Sequence, residues 1–263
     1  MNKIEANNIL INYELEGNGK TIVFIHGLSD SLNYWSPLQS NLKEDYQTLS
    51  FDLRAHGNSG DDGSKITIDL YSEDLYHLLK KLNISDAVFI GLSLGGNVAL
   101  NFAIKHPEMV NGLIIMSSFC EFNKGLQDIF DNFYLGIQEG FGEFFDIILP
   151  YTLPEEMLEK NREVLEFVRE EGIKTANIEG IKAGIKAGYS FSITDKLNTI
   201  NAPAIVISGK DDELTDLNMQ KKIHENLKNS EMIILEDTKH NILIGSNIVK
   251  IINIIKDFMQ KIS

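Results

Sequence analysis

The chain lacks the residues that would tie it to a disulfide scaffold, a membrane or a nucleic acid. It holds one cysteine, Cys120, so no internal disulfide can form. With no thiol partner and no Cys/His cluster at metal-ligand spacing, Cys120 reads as a buried free thiol, and neither metal nor cofactor is implied. No apolar run approaches the roughly 20 residues of a membrane span. Met1 to Asn8 lacks the apolar segment of a secretory signal, so a cytoplasmic protein is expected. Cationic side chains are outnumbered, 24 Lys and Arg against 38 Asp and Glu, for a formal net charge of -14. Such a surface repels phosphate backbones and anionic lipid, which argues against both as partners. Internal repeats and low-complexity linkers are absent too.

What is present suits one α/β domain. Hydrophobic residues make up 43% of 263 residues, enough for a sizeable core, with length to spare for an inserted subdomain. Apolar runs predict strands at Ile9 to Leu15, Thr21 to Ile25, Tyr46 to Phe51, Asp86 to Ile90 and Val110 to Met116. The first two, joined by Glu16-Gly17-Asn18-Gly19, read as an opening hairpin. Between strands, Tyr71, Leu75, Leu78, Leu79 and Leu82 fall on one face of a helix spanning Thr67 to Asn83. This rhythm implies a parallel sheet with helices on both faces. It stops at about Phe119. From there to Phe191 helices are predicted at Lys124 to Gln138, Phe144 to Leu149 and Glu155 to Glu171, with a weaker one from Ile173 to Gly188. In the last, Gly180, Gly184 and Gly188 recur every four residues. They give either a smooth stripe for a close neighbour or a loosened helix. Strands resume at Ala204 to Ser208 and Glu231 to Leu235, and a helix closes the chain from about Asn247. The resulting segments are a core from 1 to 118, a helical insertion from 119 to 192 and a second core segment from 193 to 263.

The chemistry concentrates at Gly91-Leu92-Ser93-Leu94-Gly95. A buried strand ends there and a helix begins, the context of a nucleophile elbow, with glycines where a Cβ would clash. A serine hydroxyl needs a base within hydrogen-bond reach, and the base needs an orienting carboxylate. Of six histidines, His26, His56 and His240 sit at strand ends. His240 alone fits the chain order Ser, Asp, His. The carboxylate is expected from Gly209-Lys210-Asp211-Asp212, leaving Asp212 and Asp211 as candidates, with Glu121 a remote third. Two donors must hold a tetrahedral oxyanion. The N–H of Leu94 at the helix start and that of Leu28 in the loop after the second strand are placed for this.

Taken together, His26-Gly27, the run Asp52-Leu53-Arg54-Ala55-His56-Gly57-Asn58-Ser59, Gly91 to Gly96, Pro203 to Asp212 and His240 resemble the α/β-hydrolase superfamily. They cover nearly the whole chain outside the helical block. The resemblance implies a mostly parallel, twisted eight-stranded sheet flanked by helices, with an inserted all-helical cap. It implies Ser93 as nucleophile, Asp212 as acid, His240 as base, and Leu28 and Leu94 as oxyanion donors. Ala55 departs from the glycine the family often carries; Asp52 and Arg54 read as loop anchors. A serine nucleophile sets aside the dehalogenase and epoxide hydrolase branches, and Gly27-Leu28-Ser29 lacks the triple glycine of the lipase branch. The closer resemblance is to small cytoplasmic carboxylesterases, enol-lactonases and carbon–carbon bond hydrolases.

Nine of the 14 phenylalanines lie between Phe119 and Phe191. A dry pocket lined by His26, Phe119, Phe130, Phe133 and Phe145 is one reading; rings that pack the helices together are the other. No basic residue stands out to anchor an anionic substrate. The expectation is hydrolysis of a small, neutral, mostly apolar ester, thioester or lactone. A slow-turnover ligand sensor and a carbon–carbon bond hydrolase are the alternatives.

Overall fold

The structure is a computed structural model, and residues 2–262 are described. Eight strands form one sheet: β1 (Asn2–Ala6), β2 (Ile9–Glu16), β3 (Thr21–Ile25), β4 (Gln47–Phe51), β5 (Ala87–Leu92), β6 (Val110–Met116), β7 (Ala204–Gly209) and β8 (Ser230–Leu235). Their order is β1-β2-β4-β3-β5-β6-β7-β8. The β1–β2 and β2–β4 pairs are antiparallel and the rest parallel. Among the described residues ten α-helices accompany them: α1 (Ser36–Leu42), α2 (Ile68–Lys81), α3 (Leu94–Lys105), α4 (Lys124–Glu139), α5 (Phe141–Thr152), α6 (Glu155–Lys160), α7 (Arg162–Thr175), α8 (Ile178–Tyr189), α9 (Leu217–Asn226) and α10 (Asn247–Lys261).

The central strands are buried on both faces, and their alternation sorts side chains into two cores. Val23, Ile25 and Phe89 point to the side of α2 and α3. Ile22, Phe24, Val88 and Ile90 point to the side of Trp35, α1 and α10. On α2 the predicted stripe holds, with Tyr71, Leu75, Leu78 and Leu79 buried. Each such leucine contributes roughly 1.5–3 kcal/mol. Thr67 caps the helix by accepting from the Leu70 N–H at 3.0 Å, satisfying a donor with no intrahelical partner. No helix among the described residues is long and apolar enough to cross a membrane.

The expected opening hairpin is corrected. β2 does not pair with β3, because β4 and β5 occupy both edges of β3. β2 adds outside β4 instead. The true hairpin joins β1 to β2 across Asn7 and Asn8, whose φ angles of 46° and 66° are those of a two-residue type I′ turn. β1 itself was not anticipated.

Five helices, α4 to α8, lie between β6 and β7, and an isolated Glu121–Ser192 bridge closes their base. The stretch expected as one helix from Glu155 breaks at Asn161. There the Asn161 side chain donates to the Met157 carbonyl at 2.8 Å, a local bond that competes with helix continuation. The second break falls at Ala176 and Asn177; Asn177 caps α8 through the Gly180 N–H at 3.0 Å. The glycine stripe of α8 lies directly on the core. A Cβ on Gly180 would collide with the Ala55 carbonyl, one on Gly184 would stand 2.7 Å from Leu28 Cδ1, and one on Gly188 3.0 Å from Phe130 Cε1. The stripe thus serves close approach.

Candidate active site

Ser93 sits between β5 and α3 with φ 52° and ψ −118°, a conformation costly for any residue with a Cβ. The neighbours enforce it. A Cβ on Gly91 would strike the Gly95 carbonyl, one on Gly95 the Ile25 carbonyl, and one on Gly96 the Ser118 hydroxyl at 2.6 Å. The Ser93 N–H donates to Met116 O at 2.9 Å, and its carbonyl accepts from Gly96 and Asn97 at 2.9 and 3.2 Å. Leu94 opens α3, so its N–H has no acceptor within the helix. Across from it, Gly27 to Asp30 form a turn closed by Asp30 N–H to Gly27 O at 3.4 Å. Ser29 takes φ 62° in that turn, the positive φ of a type II turn's third residue.

Asp212, at the end of β7, is buried and carries a full set of donors. Oδ1 accepts from the N–H groups of Leu214 and Thr215, both at 2.9 Å, and Oδ2 from the Thr215 hydroxyl at 2.9 Å. Oδ2 also meets His240 Nδ1 at 2.9 Å. Burial alone would raise this carboxyl's pKa. The charge and hydrogen bond of His240 and the bonds from Thr215 outweigh burial and hold it below the usual carboxylate range, so it is an anion that fixes the imidazole with Nδ1 protonated. Asp211 is exposed, and Glu121 is bonded to Lys222 and Thr194 elsewhere. The order of the two carboxylates in the sequence left them open; the direction of the side chains separates them. The imidazole's hydrogen bonds run from Nδ1 to Asp212 and Thr215. None joins its Nε2 to the Ser93 hydroxyl among the described residues.

The loop bearing His240 is tied to the helical insertion. The His240 N–H donates to Tyr151 O at 3.3 Å and the Asn241 N–H to Thr152 O at 3.0 Å. Lys239 Nζ donates to Pro150 O at 2.8 Å. These are end-of-helix carbonyls of α5, which lack partners in their own helix and favour a nearby cation.

Ser93 and His240 open onto one cavity of about 270 Å³ that also receives Leu28 and Leu94. Phe119, Phe130, Phe133 and Phe145 all line it. The same rings also pack against one another and their neighbours, Phe119 edge to face on Phe130 at 6.2 Å and Phe145 tilted on Phe141 at 5.9 Å, so both readings of the aromatic block describe it. His26 is a correction. It does not line the cavity; its ring is fully buried, with Nδ1 at 2.8 Å from Gly27 O and Nε2 accepting from the Leu53 N–H at 3.0 Å. An acceptor Nε2 requires the neutral ring, and burial, reinforced by His56, lowers its pKa to about 4. It is a strut between two loops. Asp52 and Arg54 are anchors as expected. Asp52 accepts from Asn12, Leu32 and Asn58 at 2.7–2.8 Å; Arg54 grips Asp74 through two bonds of 2.8 and 2.6 Å. Asp30 and Tyr34 line the cavity, and the reading of the loop passed over both.

The fold has counterparts among known proteins. The model of the alpha/beta hydrolase fold family matches residues 20–246, and the chain belongs to that family. A putative carbamate hydrolase, RutD, of Rhizobium rhizogenes is 25% identical over 239 residues, 88% of this chain and 90% of that protein. An enol-lactonase of Burkholderia xenovorans superposes with a TM-score of 0.91 at 22% identity, over 98% of this chain and 100% of that one. A thermophilic esterase of Thermogutta terrifontis does so with a TM-score of 0.88 at 22% identity, over 99% and 98%. At such identities the superpositions speak for the fold.

Proposed function

We propose that the protein is a serine hydrolase of small carboxylic esters, thioesters or lactones with an apolar acyl or aryl group. Ser93 Oγ attacks the carbonyl and His240 Nε2 takes its proton. Asp212 keeps the ring oriented and stabilises the imidazolium without itself being protonated. The N–H groups of Leu28 and Leu94 hold the oxyanion, each worth about 10²–10³ in rate. The imidazolium then protonates the leaving group. Water, deprotonated by the same ring, releases the acid from the acyl-enzyme. The helices over the site act as a cap that keeps it dry. The open Ser93–His240 contact is of the kind that tightens when substrate binds.

The observation that carries this reading is the buried His240–Asp212 pair at 2.9 Å on the wall of the cavity that receives the strained serine. Fluorophosphonate labelling followed by a panel of p-nitrophenyl esters, thioesters, lactones and, given the RutD likeness, carbamates graded by acyl length is the test. Wild-type protein should be labelled once and turn over the panel. Ser93→Ala should lose both while keeping its fold, and retained turnover in it would remove Ser93 from the mechanism. One labelling event with no steady turnover favours a ligand sensor, and cleavage of a vinylogous diketone in preference to esters favours carbon–carbon chemistry.

A further inference from the structure

The wall of the cavity is mostly apolar, and its titratable groups gather at one corner. Asp30, Tyr34 and His240 are its titratable groups. The Tyr34 hydroxyl donates to Asn241 Oδ1 at 2.8 Å and is committed there. The half-buried Asp30 carboxylate takes no hydrogen bond from any described residue, although it reaches the cavity. A carboxylate with no protein donor is left to water or to a bound ligand for its hydrogen bonds. Its place relative to the chemistry is defined. Asp30 Oδ2 and Ser93 Cβ lie 3.4 and 3.6 Å from the point where a Cβ on Gly27 would stand. The carboxylate also lies near enough to His240 to feel its charge, and both groups line the same cavity. In the reaction proposed above, the leaving group takes its proton from that imidazole and so departs close to it.

We infer that Asp30 is a specificity residue, selecting substrates whose leaving group carries an ammonium or other cationic N–H donor a few bonds from the scissile carbonyl. The inference rests on the serine hydrolase reading for which side is which, and it replaces the expectation of a wholly neutral substrate. The acyl half stays apolar, facing the phenylalanines of the insertion. The cation supplies the donor the carboxylate lacks, and Tyr34 and Asn241 frame it. Burial, offset in part by His240, raises the Asp30 pKa to about 7; a bound ammonium would draw it back to the charged form.

The test uses a matched pair, S-[2-(dimethylamino)ethyl] thiobutyrate and S-(3-methylbutyl) thiobutyrate, which differ by N–H⁺ against C–H. Thiol release gives kcat/KM for each, and calorimetry on Ser93→Ala and Ser93→Ala/Asp30→Asn gives each Kd without turnover. A charge-assisted hydrogen bond in a closed site should favour the amine by at least about tenfold in the parent proteins. Asp30→Asn, close to isosteric, should bring the ratio near one in both assays. In the wild type the preference should grow as pH rises through about 7, Asp30, His240 and Tyr34 being the titratable groups at that corner. No preference, a preference that survives Asp30→Asn, or an equal loss on both thioesters would overturn the proposal, the last by assigning Asp30 a role through His240. If neither thioester is hydrolysed, the labelling and the substrate panel decide the serine hydrolase reading, and the Kd ratio still decides for or against Asp30.

Discussion

The backbone at Ser93 offers a test in which the sign alone is decisive. With φ 52° and ψ −118°, any Cβ there is strained by about 1–3 kcal/mol. Ser93→Ala and Ser93→Gly both remove the hydroxyl, so their difference isolates the Cβ. At an ordinary position alanine is the more stable of the two by about 0.4–1 kcal/mol, because glycine widens the unfolded ensemble. Here strain opposes and exceeds that term. Ser93→Gly should therefore be the more stable by roughly 1 kcal/mol, with up to about 2 within reach. In a chain of 263 residues that is a rise of about 2–4 °C in Tm per kcal/mol. Urea titrations at matched pH would read it as a higher midpoint at unchanged slope. If Ser93→Ala equals or exceeds Ser93→Gly, the turn relaxes without its side chain, and the argument that its neighbours enforce the strain is wrong.

Three further outcomes follow from the packing and the charges. Gly180→Ala drives a methyl into the Ala55 carbonyl; a loss of about 1–3 kcal/mol in the urea midpoint is expected, whereas alanine at exposed Gly63, where nothing lies within 4 Å but φ is 78°, tests backbone cost alone. Asp212→Asn should leave the fold intact and lower kcat by about 10³–10⁴, since the imidazole loses the partner that fixes its tautomer; a loss under tenfold on the best ester of the panel would contradict the assignment. The third concerns acid. His26, lowered from 6.5 to about 4, binds fewer protons folded than unfolded between those values, so its contribution is full above 6.5 and fades as pH falls towards 4. Asp30, raised from 3.8 to about 7, has the opposite slope over the same window. Asp30→Asn removes that opposing slope, so stability should rise with pH more steeply than in the wild type, by up to about 1.4 kcal/mol per pH unit. Parallel stability curves for wild type and Asp30→Asn between pH 4.5 and 6.5 would refute this.

What the sequence revealed was local. The elbow glycines, the Leu28 turn and the α2 stripe are short-range patterns whose steric reasons can be read residue by residue. Strand order is not. Nothing in Ile9 to Glu16 says that its partner will be β4, because that depends on which edges of β3 are already taken. Five-residue β1 is polar at every second position and too short for a periodic signal, though Asn7-Asn8 was a turn signal in plain view. The break at Asn161 is hidden in a charged run without proline or glycine. At the site, position at a strand end located His26 as well as His240, but ring direction is a tertiary property, and His26 turns to the Leu53 amide. Asp30 was legible as an acidic residue in the turn after the second strand; that it lacks a partner is visible only once the walls around it are built.

The three bonds from residues 239–241 to the end of α5 have a bearing on how this scaffold could be re-engineered. They make His240, the proposed general base, a tenant of two parts of the chain. Transplanting a relative's helices between β6 and β7 to change substrate range would carry away the carbonyls that seat the imidazole, so a graft ending at β7 would be expected to bind new ligands and turn them over poorly. Chimeras should exchange the 239–241 turn together with the helices, and evolutionary drift in one ought to be answered by drift in the other.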